Sequence, residues 1–163
     1  MKRIAKFEFV SKDRFIADCE REDAVEIYEA LKLPKRATSG SAGYDFFMPY
    51  DVVLNPGETA KIPTGIRAKI EDGWVLNLYP RSGLGFKFRL QLNNTVGIID
   101  SDYYFSDNEG HIFAKITNDT NENKVITLEK GKGFIQGIFL EYGITEDDDV
   151  SDVRNGGFGS TDK

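Results

Sequence analysis

The 163-residue sequence contains one cysteine and one histidine, Cys19 and His111. A single cysteine excludes a disulfide framework within the chain. A single histidine argues against a His/Cys zinc cluster and against a Ser-His-Asp catalytic site. The sequence also lacks an apolar signal core at its start and any apolar run long enough to span a membrane. We therefore expect a cytoplasmic protein without a membrane partner.

Positive charge is outnumbered by negative charge along the chain. There are 21 Lys and Arg residues against 27 Asp and Glu residues, which gives a formal net charge of −6. This balance argues against a general nucleic-acid binder, so an anionic ligand would need a local basic site. The length and the hydrophobic fraction of 40% suit one domain with one sizeable core.

Most of the chain has the pattern of short strands separated by turns. Residues 3–10 alternate between apolar and charged side chains and predict a strand with one wet face. Residues 22–32 have apolar side chains at helical spacing before Pro34 and predict one short N-terminal helix. Many short strands with regular turns then indicate an all-β sandwich or barrel. These strands are predicted at 44–47, 52–54, 59–63, 66–70, 74–79, 112–118, 124–128, 130–133 and 134–142.

Residues 94–104 combine an apolar run with two carboxylates. Gly97 interrupts the run, and a glycine within a strand often marks a close backbone approach. Asp100 and Asp102 follow where the strand ends. A carboxylate there could activate a water molecule, or it could bond only its own turn, and on this stretch alone the turn is favoured. The apolar residues that predict a buried strand are Val96, Ile98 and Ile99.

Four further stretches have chemical character, and each has a plainer interpretation. Residues 41–45 place a small-residue turn before Asp45. Residues 80–85 offer a guanidinium, a hydroxyl and glycine N–H groups, as phosphate recognition needs, or they form an ordinary surface loop. Gln136 needs a partner for its amide on an otherwise apolar strand, either a backbone group or a ligand oxygen. Residues 154–161 have the composition of a phosphate loop without the lysine of a Walker motif, or they form a disordered terminus.

Taken in order, the five stretches resemble the five motifs of the trimeric dUTPases, the deoxyuridine triphosphate nucleotidohydrolases. The resemblance spans residues 36–161 and is greatest to the Gram-positive bacterial and phage branch. It implies a jelly-roll-like β-clip barrel with a flexible C-terminal arm. It also implies a homotrimer with sites at subunit boundaries. Within one domain, residues 1–35 would be an N-terminal extension, 36–145 the β core, and 146–163 a linker and glycine-rich arm.

The resemblance also implies a reaction. Water would attack the α-phosphorus of dUTP and give dUMP and pyrophosphate, which limits uracil in DNA and supplies dUMP for dTMP synthesis. Mg²⁺ would be held mainly by the substrate phosphates and water, with no direct protein ligand, which suits a chain poor in His and Cys ligands.

The catalytic candidates implied by the resemblance are Asp100, Arg81 and Gln136. Asp100 would orient and deprotonate the attacking water and bond the ribose 3′-hydroxyl. Tyr103 would pack on the deoxyribose and leave no room for a 2′-hydroxyl. The uracil edge would be read in a narrow hairpin pocket by Asn94 together with the backbone of Gly97, Ile98 and Ile99.

The phosphates would be held from two directions. Arg81, Ser82, Gly83 and Gln136 would bind phosphate oxygens, with Asp45 in a supporting role. From the arm, Phe158 would stack on uracil. The outer phosphates would be clamped by Arg154, Gly159, Ser160 and Thr161.

The chain departs from the family pattern in places. Residues 104–109 suggest a longer hairpin after Tyr103, and Gly133 stands where an arginine is common. One residue instead of two separates Arg154 from the following glycine pair, and Asp162 replaces a glycine.

Three alternatives stay open. A dCTP deaminase of the same fold would need a different base-side loop and a glutamate as general acid and base. A dUTPase-like module could bind a regulatory protein, for example through residues 1–35. A purely structural jelly roll would not require the ordered polar motifs.

Overall fold

The computed structural model describes residues 1–154. These residues form twelve strands, three α-helices and one 3₁₀ helix, so the predicted all-β class is confirmed. The helices are α1 (Lys12–Cys19), α2 (Ala24–Glu29), α3 (Ser82–Phe88) and the 3₁₀ helix Ser101–Phe105. The strands are β1 (Ala5–Phe9), β2 (Lys35–Arg36), β3 (Tyr44–Phe47), β4 (Val52–Leu54), β5 (Thr59–Pro63), β6 (Ile66–Ile70), β7 (Trp74–Pro80), β8 (Leu90–Leu92), β9 (Gly97–Ile99), β10 (Phe113–Asn118), β11 (Ile126–Leu128) and β12 (Gly133–Glu141).

The strands pair antiparallel in four small sheets. The largest has the order β2-β3-β12-β7-β9, and the others are β5-β10-β8, β1-β6 and β11-β4. Except for β2 and β3, the neighbouring strands of residues 1–154 are not consecutive in sequence, as expected of a jelly-roll-like topology with crossovers between sheets. Alternate residues of these strands face one apolar core, which includes the fully buried Phe46, Leu76, Ile116 and Phe134.

The N-terminal segment packs against this β core. β1 pairs with β6, from Ala5 opposite Ile70 to Phe9 opposite Ile66. The Ser11 hydroxyl accepts a hydrogen bond from the Arg14 N–H at 3.1 Å and caps α1. Helices α1 and α2 then enclose a second, smaller apolar cluster. Its buried members are Val10, Phe15, Cys19, Ala24 and Ile27.

The sequence predicted one helix, but residues 1–154 contain three α-helices and one 3₁₀ helix. Helix α2 is shorter than the predicted 22–32, and α1 and α3 were not predicted. Helix α1 buries only Phe15 and Cys19, one turn apart, so its apolar stripe is narrow. Helix α3 buries no side chain and contains two glycines, which are poor helix formers. No helix among residues 1–154 has the length and apolar character that crossing a membrane requires.

Three local predictions also need correction. Residues 130–132 are not a strand, because the chain turns at Gly131, whose φ is +76°, and Gly133 is already the first residue of β12. Residues 104–109 form the end of the 3₁₀ helix and a turn instead of a hairpin. The 93–96 loop joins β8 to β9, but β8 pairs with β10 and β9 with β7, so the loop does not close a two-stranded hairpin.

Candidate active site

Three of the five chemical stretches line one cleft. The cleft has a volume of about 690 Å³ and lies between the start of α3 and strands β3 and β12. Asp45, Arg81, Ser82, Gly83 and Gln136 all line it. The sheet register explains this meeting, because Gln136 on β12 pairs with Asp45 on β3 and with Tyr79 on β7.

Arg81 is the principal cation of the cleft. It precedes α3 in extended conformation, and its Nε lies 3.1 Å from Asp45 Oδ1. One terminal nitrogen also approaches the Gly133 carbonyl oxygen at 3.4 Å. Asp45 therefore orients the guanidinium while other donors of this half-exposed side chain still face the cleft. A guanidinium held in this way is suited to bind a phosphate.

The Gln136 amide depends on a glycine opposite it. Its Nε2 donates to the Pro80 carbonyl at 3.3 Å. A Cβ placed on Gly43 would lie only 2.5 Å from Gln136 Oε1. The glycine of the 41–45 stretch therefore makes room for the amide, a role that sequence reasoning did not assign.

The cleft contains a second cation that sequence reasoning missed. Lys87 lies in the last turn of α3 and lines the cleft together with Arg81. The 80–85 stretch was interpreted as a loop, so residues beyond it were not considered. No local pattern pointed to Lys87, because the two glycines of α3 obscured the helix.

Asp100 and Asp102 lie elsewhere, at the edge of the five-stranded sheet. Asp100 follows β9 and occupies the N-cap position of the 3₁₀ helix in extended conformation, but its side chain makes no capping hydrogen bond and is 43% exposed. Gly97 is buried against β7, where an added Cβ would lie 3.0 Å from Leu78 Cβ. The close approach predicted at this glycine is therefore strand packing. A buried strand was expected here. Ile99 is buried as expected, but the expectation is wrong for Ile98, which is 54% exposed.

Tyr103 is fixed in the core beside this edge. Its side chain is 3% exposed, and its hydroxyl donates to the His111 carbonyl at 2.6 Å. Asn108 Nδ2 donates to the same hydroxyl at 2.8 Å. Burial raises the pKa of the Tyr103 phenol above its ordinary value, so it stays neutral. Little of the ring is open to a ligand, and that part is held rigidly.

Arg154 joins the base of the C-terminal arm to the two carboxylates. A terminal nitrogen donates to Asp100 Oδ2 at 2.5 Å, and Nε lies 3.0 Å from Asp102 Oδ1. The Arg154 side chain is 20% exposed. The predicted arm residues Phe158, Gly159, Ser160 and Thr161 lie outside the described residues.

The two groups of candidate residues are separated along β7. Asp100 follows Ile99, which pairs with Leu76, whereas Arg81 follows Pro80 at the other end of the strand. Six residues of strand span roughly 20 Å. Asn94 is exposed in the 93–96 loop, beyond the other end of β9. Among the described residues, the lining of the cleft includes neither Asn94 nor Asp100 nor Tyr103.

The fold and the cleft define a mainly β protein with a basic, amide-lined site for an anionic ligand. The family model that describes dUTPase matches residues 29–162. The deoxyuridine 5'-triphosphate nucleotidohydrolase of Lactococcus lactis is 45% identical over 134 residues, which are 80% of this chain and 88% of that protein. The chain therefore belongs to the dUTPase family.

Solved structures agree with this assignment. The crystal structure of dUTPase from Streptococcus mutans has a TM-score of 0.65 and 34% identity, covering 86% of this chain and 98% of its own. A mutant dUTPase from phage phi11 of S. aureus has the same TM-score with 21% identity, covering 92% and 98%. At that lower identity the likeness concerns the fold alone.

Proposed function

We propose that the chain hydrolyses dUTP to dUMP and pyrophosphate by attack of water on the α-phosphorus. Membership of the dUTPase family and the 45% identical nucleotidohydrolase of L. lactis support this function. The observation that carries it is the cleft where Arg81, oriented by Asp45, meets Ser82 and Gln136. These groups match what a bound triphosphate requires, namely charge and several hydrogen-bond donors.

The active enzyme is a homotrimer in this proposal. Asp100 and Arg81 stand roughly 20 Å apart on one chain, as the length of β7 requires, so one chain cannot place both on one nucleotide. A neighbouring subunit can supply the missing half. Exposed apolar side chains on the same sheet and just beyond it offer surface for such contacts. They include Ile98, Leu140, Tyr142 and Ile144.

The cleft binds the phosphates. Arg81 contributes a fixed positive charge, Ser82 a hydroxyl, Gly83 a backbone N–H and Gln136 an amide N–H. A preorganised set of donors stabilises the charge that develops on the phosphoryl oxygens without rearranging during the reaction. Asp45 acts through Arg81 and does not touch the substrate.

The residues at the β9 edge of the five-stranded sheet activate the attacking water and recognise the nucleoside in this proposal. Asp100 stands at a strand end with its side chain partly exposed, where the carboxylate can accept the proton of the attacking water once Arg154 releases it. Tyr103 offers a rigid surface to the deoxyribose and excludes a 2′-hydroxyl. Asn94 and the backbone of 97–99 pair with the uracil edge, since unpaired buried groups would penalise a wrong base.

Arg154 exchanges partners when substrate binds. In the described chain it neutralises Asp100 and Asp102, which leaves the Asp100 carboxylate engaged. The outer phosphates compete for this guanidinium and free Asp100 for water. The remaining arm residues, Phe158 to Thr161, close over uracil and phosphates in this proposal, as the family resemblance implies.

In this proposal Mg²⁺ would be held mainly by the phosphates of the substrate and by water. Within residues 1–154, no group of three or more His, Cys, Asp or Glu side chains is placed to hold a metal ion. Among residues 1–154, Asp45 is the one carboxylate that lines the cleft, and it is already engaged by Arg81. The donors that remain suit phosphate oxygens, and Mg²⁺ bound to those oxygens would supply charge neutralisation. The phi11 phage enzyme is known with a structural Mg(II) ion.

Pyrophosphate release tests the proposed function. dUTP, dTTP, dCTP and UTP are each supplied with Mg²⁺, and pyrophosphate and ammonia are both measured. Release from dUTP alone is expected. Ammonia from dCTP would indicate the deaminase, and silence with all four nucleotides would contradict hydrolysis. Sedimentation of the same sample tests the trimer.

A further inference from the structure

The N-terminal segment, residues 1–28, precedes the region that the family model matches, yet it contacts the residues just after Asp100. Three of its polar side chains, Glu8, Ser11 and Asp18, make hydrogen bonds to the segment 103–111. They come from β1, from the cap of α1 and from the body of α1. This convergence on one short segment points to a task beyond filling the core.

The central contact joins Asp18 to Tyr103 through the only histidine of the chain. Asp18 Oδ2 lies 2.6 Å from His111 Nδ1, and the His111 side chain is fully buried. The Gly65 N–H donates to His111 Nε2 at 2.9 Å, so Nε2 carries no proton and Nδ1–H donates to Asp18. The carbonyl of His111 in turn accepts the hydroxyl of Tyr103 at 2.6 Å.

Two further contacts hold the same segment. The Ser11 backbone N–H and hydroxyl both donate to the Glu109 carboxylate, at 2.7 and 2.6 Å. The Tyr104 hydroxyl donates to Glu8 at 2.6 Å, and the Arg67 guanidinium lies over the Tyr104 ring at 4.4 Å.

The fit between the turn and the 3₁₀ helix is tight. Gly110 has a φ of +70°, and an added Cβ would lie 2.7 Å from the Tyr104 Cα. The Tyr103 N–H donates to the Asp100 carbonyl at 3.2 Å. A shift of residues 104–111 would therefore be passed to Tyr103 and, through its N–H, to Asp100.

We propose that the N-terminal segment positions the 3₁₀ turn carrying Asp100 and Tyr103, with Asp18 as a positioning residue that acts through His111. In this proposal Asp18 does not touch the substrate. Asp18 fixes the ring of His111. The backbone carbonyl of His111 accepts the hydrogen bond from the Tyr103 hydroxyl, and this bond holds the surface of Tyr103 that would meet the deoxyribose. This inference rests on the proposed function for its kinetic consequences.

The kinetic test compares Asp18→Ala with the control Asp23→Asn. Asp23 is an exposed carboxylate of the same segment that pairs with Arg21, away from residues 103–111. Small misplacements of reacting groups cost up to about 100-fold, so Asp18→Ala should lower kcat/KM for dUTP by roughly 10- to 100-fold. It should also narrow the preference for dUTP over UTP by about 10-fold, because the sugar surface is loosened. Asp23→Asn should change neither value.

A merely structural role would behave differently. If the role of Asp18 were only structural, Asp18→Ala would have a lower melting temperature. Its ratio of kcat/KM for dUTP to kcat/KM for UTP would then be unchanged in assays run well below that temperature. An unchanged ratio would overturn the proposal. If Asp18→Ala does not fold, Asp18→Asn keeps the volume and an acceptor oxygen, and a smaller loss of selectivity is expected.

A double-mutant cycle tests the route through Tyr103. Tyr103→Phe keeps the ring and removes the hydroxyl that His111 holds. If Asp18 acts through this hydroxyl, the double variant should lose little more activity than the worse single variant. Fully additive losses would overturn the route.

Hydrogen exchange gives a readout independent of activity. The amides of residues 101–111 should exchange at least about 10-fold faster in Asp18→Ala than in Asp23→Asn, because local opening becomes easier. Equal exchange would overturn the inference. A wild-type protein that does not hydrolyse dUTP would overturn the proposed function instead, and the exchange rates would still decide the positioning role.

Discussion

The two parts of the candidate site differ in charge and in how the fold supports them. The cleft half is basic and stands on paired strands, with Arg81 oriented by Asp45 and Gln136 placed by the register of β12. The edge half is acidic and stands on a short 3₁₀ turn after an edge strand, with Asp100 and Asp102 paired to Arg154. The comparison teaches that one half is suited to bind phosphates and the other to accept a proton. In the proposed mechanism, hydrolysis requires both halves.

Replacing Asp100 should have the largest effect, because it removes the function of the edge half and leaves the cleft intact. Asp100→Asn keeps the shape but cannot accept the proton of water. We expect turnover to fall by about 10² to 10⁴-fold while nucleotide still binds. The measurement is kcat for dUTP together with the Kd of a non-hydrolysable analogue. Near-normal turnover would refute the role of general base.

Deleting residues 154–163 should have the next largest effect. This change removes Arg154, and with it the link between the arm and the edge half. Loss of one preorganised charge partner in a phosphoryl site costs roughly 10² to 10³-fold, so kcat/KM should fall by at least that factor. The melting temperature should change little, because Arg154, the one described residue within the deletion, pairs with the partly exposed Asp100 and Asp102 and not with the apolar core. A large loss of thermal stability would contradict this account.

Gly43→Ala should perturb the cleft half alone. The new methyl would displace the Gln136 amide, whose Oε1 lies 2.5 Å from the added Cβ position. We expect KM for dUTP to rise by about 10-fold, as expected from the loss of one hydrogen bond to a charged group, with a smaller change in kcat. Gly40→Ala is the matched control, because nothing lies within 4 Å of its added Cβ. Equal kinetics for the two variants would show that Gln136 does not need this space.

The sequence predicted the cleft half better than the edge half, for physical reasons. Alternating strands with turn residues at their ends are local signals, so β3, β7 and β12 were placed within one or two residues. The register that joins Asp45 to Gln136 depends on pairing between distant strands, and no local pattern contains it. Helix α3 was missed because its two glycines and lack of a buried face give no periodic signal.

The edge half also shows what a resemblance cannot supply. The motif of residues 94–103 indicated Asp100 and Tyr103, but it gave no sign that Tyr103 would be buried under His111. Nor did it show that His111 would be held by Asp18, ninety-three residues earlier in the chain. Those contacts depend on the N-terminal segment, which the motif comparison did not include.

The smallest predicted effect is a pH dependence of stability that originates beside the edge half. Burial lowers the pKa of His111 below its ordinary value of about 6.5, and the hydrogen bond from its ring to Asp18 offsets only part of this shift. Arg14 on α1 and Glu109 on the adjoining turn are the other charged groups that act on the ring. The native ring therefore stays neutral below pH 6.5, while the unfolded chain takes up a proton. Because the unfolded state then binds more protons than the native state, the free energy of unfolding should decrease as the pH falls from 6.5 toward 5.

Thermal melting of the wild type and of His111→Asn between pH 5 and pH 8 measures this effect. The variant should be less stable throughout but should show a flatter dependence on pH in that range. Glu8 does not interfere, because its pKa is lowered to about 2 by hydrogen bonds from Lys6 and Tyr104, which places its own contribution at lower pH. Parallel curves for the two proteins would show that acid sensitivity arises elsewhere. A flatter curve for the variant would show that the acid sensitivity of stability originates at His111. Because His111 holds Tyr103, this would assign the effect to the edge half and not to the cleft half.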